Sequence, residues 1–336
     1  MPRFRPTKLL ATALALPLLF SLAGGCSLSD DEVEYNQLER LRVLGIRSEP
    51  ADVAAGETAQ LSALVFEPEG RRVRYAWSWC PLRGGAEDGF RCLVDQAELR
   101  TLWQATGSSA ELPPYDLGTG QTAELPIVFD EDLLAILCAA LFADEATDER
   151  LLLACVLGFE PSIQLTVTTS EDEVVAIRTL PLADADDPEA RNHNPELNGE
   201  IELEHASDAS VLEPDEPLRA DTLYRVRVGV DPSQAERFLP EPEPGLSAPE
   251  ARRETLVMTW FVAPGSTDAD DERRGPGADD ESTSYADGGT FDDLLENGWQ
   301  LPATLHTRQG RLILVLRDER GGVGWAEHRF TLERGE

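Results

Sequence analysis

The residues with the strongest chemistry are five cysteines, four histidines and a large excess of carboxylates. Cys26 stands alone near the start, and Cys80, Cys92, Cys138 and Cys155 follow at spacings of 12, 46 and 17. An even set of four in an exported chain reads as two disulfides. Three connectivities are possible; the local pairs Cys80–Cys92 and Cys138–Cys155 close the shortest loops. No C-x₂-C knuckle occurs, so a Cys₄ zinc site is not expected. His193, His205, His306 and His328 do not fall at metal-binding spacing, and no nucleophile elbow, Walker loop or dinucleotide fingerprint appears. No catalytic residue is therefore assigned. Two similar aspartate groups, Asp184, Asp186 and Asp187, then Asp268, Asp270 and Asp271, carry the hard oxygens that Ca²⁺ prefers. They lack the EF-hand pattern, so Ca²⁺ is the only cofactor considered, and solvated acidic loops are the plainer reading.

Net charge bounds the partners. The 336 residues carry 29 Lys and Arg against 63 Asp and Glu, a formal charge of −34. Such a chain repels phosphate backbones, which excludes a nucleic-acid binder. Its only lysine is Lys8.

Residues 1–25 read as an address rather than as structure. Arg3, Arg5 and Lys8 precede an apolar run, Leu9 to Ala23, that is short for a bilayer span. Leu22-Ala23-Gly24-Gly25-Cys26 resembles the lipobox of bacterial lipoproteins, with Ala23 where that family usually has Leu. The resemblance implies cleavage before Cys26, diacylglycerol on its thiol, and a membrane partner through the N-terminal lipid. Ser27 in place of Asp points to the outer membrane. Cleavage removes Arg3, Arg5 and Lys8 and no acid, so −34 over 336 residues becomes −37 over 311. Residues 26–39 then form a lipidated tether.

The remaining chain alternates with period two and is punctuated by Gly and Pro turns, so it reads as all-β. Strands are expected at 41–48, 60–67, 72–79, 124–130, 162–169 and 174–182. They recur at 201–203, 222–230, 254–262, 311–317 and 324–332. Residues 131–158 carry helical spacing and read as a helical insert clamped by Cys138 and Cys155. Residues 184–199 read as a linker, and about 264–298 as a long acidic loop.

The halves overlay. Tyr75-Ala76-Trp77-Ser78-Trp79 lies over Val257-Met258-Thr259-Trp260-Phe261, and 162–182 over 311–332. Asp318-Glu319-Arg320-Gly321-Gly322 resembles the last hairpin turn of PKD-like and other Ig-like modules of bacterial surface proteins, and a central-strand Trp is typical of Ig-like sandwiches. The resemblance implies two Ig-like β-sandwich domains in tandem, 40–183 with the helical insertion and 200–334. By composition, the junction around Asn192, His193, Asn194 and Pro195 is similar to cadherin linkers. Trp103, Tyr115, Tyr285 and Trp299 fall in loop-like stretches and could stack on sugars or a partner.

These features imply a non-catalytic, lipid-anchored envelope module that binds, adheres or supports, with an envelope protein or a polysaccharide as partner. Two other readings stand beside it. One is a carbohydrate-active enzyme or accessory subunit with a site between the domains. The other is a periplasmic solute-binding component that hinges at 191–195.

Overall fold

The computed structural model describes residues 38–333 apart from 86–88, 106, 129–137, 140–160, 184–189, 198–200, 214, 241–249, 268–280 and 284–293. The chain is all-β with two sandwich cores. The first sandwich comprises β1 (Arg42–Glu49), β2 (Val53–Ala54), β3 (Thr58–Phe66), β4 (Arg74–Cys80), helix α1 (Gln96–Ala105), β5 (Asp116–Gly118), β6 (Thr122–Pro126), β7 (Ser162–Thr168), β8 (Glu173–Thr179) and β9 (Leu182–Ala183). The second comprises β10 (Ile201–His205), β11 (Leu218–Arg219), β12 (Leu223–Gly229), β13 (Arg237–Phe238), β14 (Arg252–Arg253), β15 (Leu256–Ala263), β16 (Ser266–Thr267), β17 (Glu281–Thr283), β18 (Leu294–Gln300), β19 (Gln309–Asp318) and β20 (Val323–Glu333).

The same topology occurs twice. Sheet β1-β3-β6 faces sheet β5-β4-β7-β8 in the first sandwich, and β10-β12-β18-β16 faces β11-β20-β19-β15-β17 in the second. Each sandwich also closes one corner with a short parallel pair, β2 with β9 and β11 with β20. Alternation drives this arrangement. In β7, Ile163, Leu165 and Val167 are buried while the residues between them are half-exposed, and β12 repeats the pattern with Tyr224, Val226 and Val228. The buried indoles find partners in loop carbonyls: Trp77 Nε1 donates to Gly120 O (3.0 Å), and Trp299 Nε1 to Pro264 O (2.9 Å).

Several expectations change. The structural overlay of the halves is offset by one residue from the sequence overlay. Trp77 pairs with Leu165 as Trp260 pairs with Leu314, so Trp77 matches Trp260 rather than Thr259. A slip of one residue exchanges the faces of a strand, and both indoles must point inward. The acidic stretch 264–298 contains most of β18, in which Leu295 and Trp299 face the core opposite Val228 and Tyr224. Trp299 is thus a core residue and not an exposed platform. Trp103 is buried on α1, and the Tyr115 hydroxyl donates to Val94 O (3.0 Å), so both anchor loops inward; Tyr285 lies outside the described residues. Helix α1 was not expected. Asp95 caps it through the Ala97 amide (2.8 Å), and Leu99 and Trp103, one turn apart, meet the core. Of the insert 131–158, only Cys138 and Ala139 are described, and both are helical.

Cys80 and Cys92 form a disulfide. Cys138 is disulfide-bonded as well. Cys26, Cys155 and the six aspartates singled out for Ca²⁺ lie outside the described residues.

Candidate functional site

The sequence places its most unusual polar residues between the sandwiches, and the structure builds a site there. One half of this junction is apolar. Leu38, Leu44 and Phe66 of the first sandwich pack on Phe261, Ile313, Val315 and Val323 of the second. These last four side chains lie on the outer face of the β15-β19-β20 sheet, whose inner face carries the second core. β15 and β19 are consequently buried on both faces. A bulge in β1 between Val43 and Gly45 lets the strand approach closely: a Cβ on Gly45 would sit 3.6–3.7 Å from Val323, Trp325 and Val315.

The other half is polar and is built on residues 190–195, which read as linker from the sequence. Arg191 reaches the first sandwich, donating from Nε to Asp52 Oδ1 (2.9 Å) and from Nη2 to Asp52 O and Glu57 Oε2 (2.8 Å each). The Asn192 amide donates to Asp52 Oδ2 (2.9 Å), and its side chain to Asp318 Oδ1 of the second sandwich (3.3 Å). Asn194 spans the two in the same way: Nδ2 donates to Ser48 O (2.8 Å), while Oδ1 accepts from the Val323 amide (2.9 Å). Asn192 and Asn194 are buried. The segment is a strap, because Asn192 and Asn194 each bond to both sandwiches where a solvated linker would bond to water.

The β19–β20 turn receives the strap. Asp318 Oδ1 accepts from the Gly322 amide (2.7 Å) and the Arg320 amide (2.9 Å). Two glycines make room. A Cβ on Gly324 would lie 1.9 Å from Pro195 O, and one on Gly322 would lie 2.0 Å from Asp318 Oδ2 and 2.9 Å from His193 O. Three arginines complete the seam. Arg178 donates to Ile46 O (2.7 Å) and Gly321 O (2.5 Å), and Arg317 to Leu44 O (2.9 Å) and Thr259 Oγ1 (2.6 Å). Arg320 donates to Glu254, to Glu236 Oε2 (2.5 Å) and to Ala190 O (2.9 Å).

Burial sets the charge states. It pushes the Asp318 and Glu254 carboxyls above the usual carboxylate range and lowers Arg178 to about 10. The Arg191 hydrogen bond holds Glu57 below that range. Among the described residues, Asn192 Oδ1, Asp318 Oδ2 and Arg178 Nε are buried without a hydrogen-bond partner, but the bonds that Asn192, Asn194, Arg178 and Arg317 make across the seam tie the two bodies in one relative orientation.

Two open clefts border the seam. One, of about 610 Å³, is walled by Phe66, Pro68, Pro264 and Pro302 and carries His306 and Arg311, whose guanidinium stacks on Phe66. The other, of about 320 Å³, lies between β1, β8 and the β19–β20 turn. Among the described residues, no three His, Cys, Asp or Glu side chains are grouped to hold a metal. Nor is any described helix long and apolar enough to cross a membrane.

No family model matches the chain, and no characterised protein matches it. Among solved structures it is similar to dimeric latent PorU from Porphyromonas gingivalis at 10% identity and a TM-score of 0.22, over 88% of this chain and 24% of that one. It is similar to the three N-terminal domains of the Highly Immunogenic Outer Capsid protein of bacteriophage RB49 at 11% identity and a TM-score of 0.21, over 88% and 71%. A bacterial ice-binding adhesin aligns at 11% identity and a TM-score of 0.19, over 88% and 64%. The chain thus spans about a quarter of the length of PorU and less than two thirds of the adhesin. At such scores the neighbours carry no weight about what this chain does.

Proposed function

We propose that this chain is a non-catalytic, lipid-anchored protein of the cell envelope in which the tandem sandwiches act as one binding or structural body. The junction supports that reading. A strap whose Asn192 and Asn194 each bond to both sandwiches holds the pair fixed, as a presenting or spacing module requires. A hinged solute binder would need this seam to open on each cycle, breaking buried hydrogen bonds and exposing Phe261 and Ile313. The anchor rests on Leu22 to Cys26, which resembles a lipobox, and its partner is the membrane through the lipid. The surface partner belongs to the envelope, as protein or polysaccharide.

The test is fractionation. With Cys26 intact the protein stays with outer-membrane vesicles through a high-salt wash. Cys26→Ala or globomycin releases or mislocalises it. Unchanged membrane association of the variant would overturn the anchor. Capture of envelope partners by the cross-linked native protein, lost in the released variant, would support the surface role.

A further inference from the structure

The two sandwiches treat equivalent sheet faces differently. In the second, the outer face of β15-β19-β20 carries Phe261, Ile313, Val315, Val323 and Trp325 and is covered by β1. The matching face of the first, on β4-β7-β8, is exposed along β8. Its rows are Arg74–Thr168–Glu173, Ala76–Thr166–Val175 and Ser78–Gln164–Ile177. Val175 is 46% exposed and Ile177 36%. At the far end Arg83 donates to Gln164 Oε1 (2.5 Å) and closes the patch.

Along this face the charges cancel: Arg74 and Glu173 occupy one row, and in the row of Ser78, Gln164 and Ile177 the Asp116 carboxylate of β5 is offset by Arg83 on Gln164. The outer face of β10-β12-β18 differs, being laced with Glu202, Glu204, Arg225, Arg227 and Glu296. In a chain this acidic, two copies repel wherever carboxylates would meet, so a neutral face is where they can approach.

We propose that the outer face of β4, β7 and β8 is a self-association surface, on which a second copy of this chain docks face to face about a two-fold axis running along β7. That operator lays β4 of one copy over β8 of the other at the same height. Small Ala76 and Ser78 then receive Val175 and Ile177 of the second copy, and Arg74 meets Glu173 twice. Size and charge are both complementary under this one operation. Arg74 is available for the pairing because its bonds within the chain, to Thr168 Oγ1 and Thr169 O, are long at 3.4 Å. Three strands about 4.8 Å apart and seven residues long offer a patch of about 300 Å² per copy, well under the ~800 Å² of a standard interface. The dimer is therefore weak and concentration-dependent, in the micromolar range or above.

Sedimentation equilibrium on the purified mature chain, residues 26–336 carrying Cys26→Ala, tests this free of lipid and of the apolar run 9–23, so the result is independent of the anchor. At ~0.15 M salt, where charges are screened beyond about 8 Å, a monomer–dimer equilibrium is expected. Val175→Arg or Ile177→Arg should abolish it while leaving circular dichroism and the melting midpoint unchanged. Arg74→Glu should weaken it about tenfold, because two symmetry-related pairs turn repulsive. Adding Glu173→Arg to Arg74→Glu should restore it. A monomer at every concentration up to about 1 mM, a dimer indifferent to Val175→Arg, or a charge swap that fails to restore association would each overturn the proposal.

Discussion

The two sandwiches share strand order, corner pairing and a central-strand Trp, yet the second presents its large sheet to another domain and the first presents it to solvent. The same positions hold Phe261, Ile313 and Val315 where the face is covered, and Ser78, Gln164 and Thr166 where it is not. Topology is constant, and the covering partner decides which residues the face carries. β19 reads as a nearly continuous apolar run because it is buried on both sides, whereas β7 alternates because it is buried on one.

Substitutions on the matched faces test this contrast. Phe261→Ala removes a buried ring from the covered face, and denaturant unfolding should show a loss of about 3–5 kcal/mol. Ile177→Ala on the open face should change stability by no more than about 0.5 kcal/mol. Equal effects at the two sites would break the comparison. Replacing Cys80 and Cys92 with Ser releases a short loop in the first sandwich only and should destabilise by about 3 kcal/mol. Because the seam couples the sandwiches, tryptophan fluorescence and far-UV circular dichroism should still report one shifted transition. Separate transitions would mean the halves unfold independently.

Gly324→Ala drives a Cβ into Pro195 O and should displace the strap, at about 2 kcal/mol, with faster hydrogen exchange at 191–195. The smallest effect is on pH dependence. Asp318 and Glu254 bind protons more tightly folded than unfolded, so their contribution to stability is present below the ordinary carboxylate range and fades as pH rises through their raised values. Acidification from pH 7 toward 5 should raise the melting midpoint, and Asp318→Asn with Glu254→Gln should flatten that rise.

Legibility followed the physical origin of burial. The hairpins β7–β8 and β19–β20 show in the sequence because apolar alternation or apolar runs mark them. β18 is hidden because Leu295 and Trp299 close an acidic stretch, and their pairing with Val228 and Tyr224 is long-range. Helix α1 left a weak local signal, Asp95 followed three residues later by Glu98, that alternation elsewhere obscured. The strap could not be found by hydropathy. Arg191, Asn192 and Asn194 are buried through hydrogen bonds rather than apolar surface, so their composition reads as linker. Asn192 and Asn194, which make the junction similar in composition to cadherin linkers, instead donate side-chain amide hydrogen bonds across it.

Native-state hydrogen exchange at the Asn192 and Val323 amides tests the fixed junction most directly, since one ties the strap to Asp52 and the other ties the second sandwich to Asn194. A single rigid body predicts that both exchange only with global unfolding, with the same free energy and the same denaturant slope as the amides of β7 and β19. Exchange of either through a low-energy, denaturant-independent opening would show that the sandwiches part while folded, and would contradict the account.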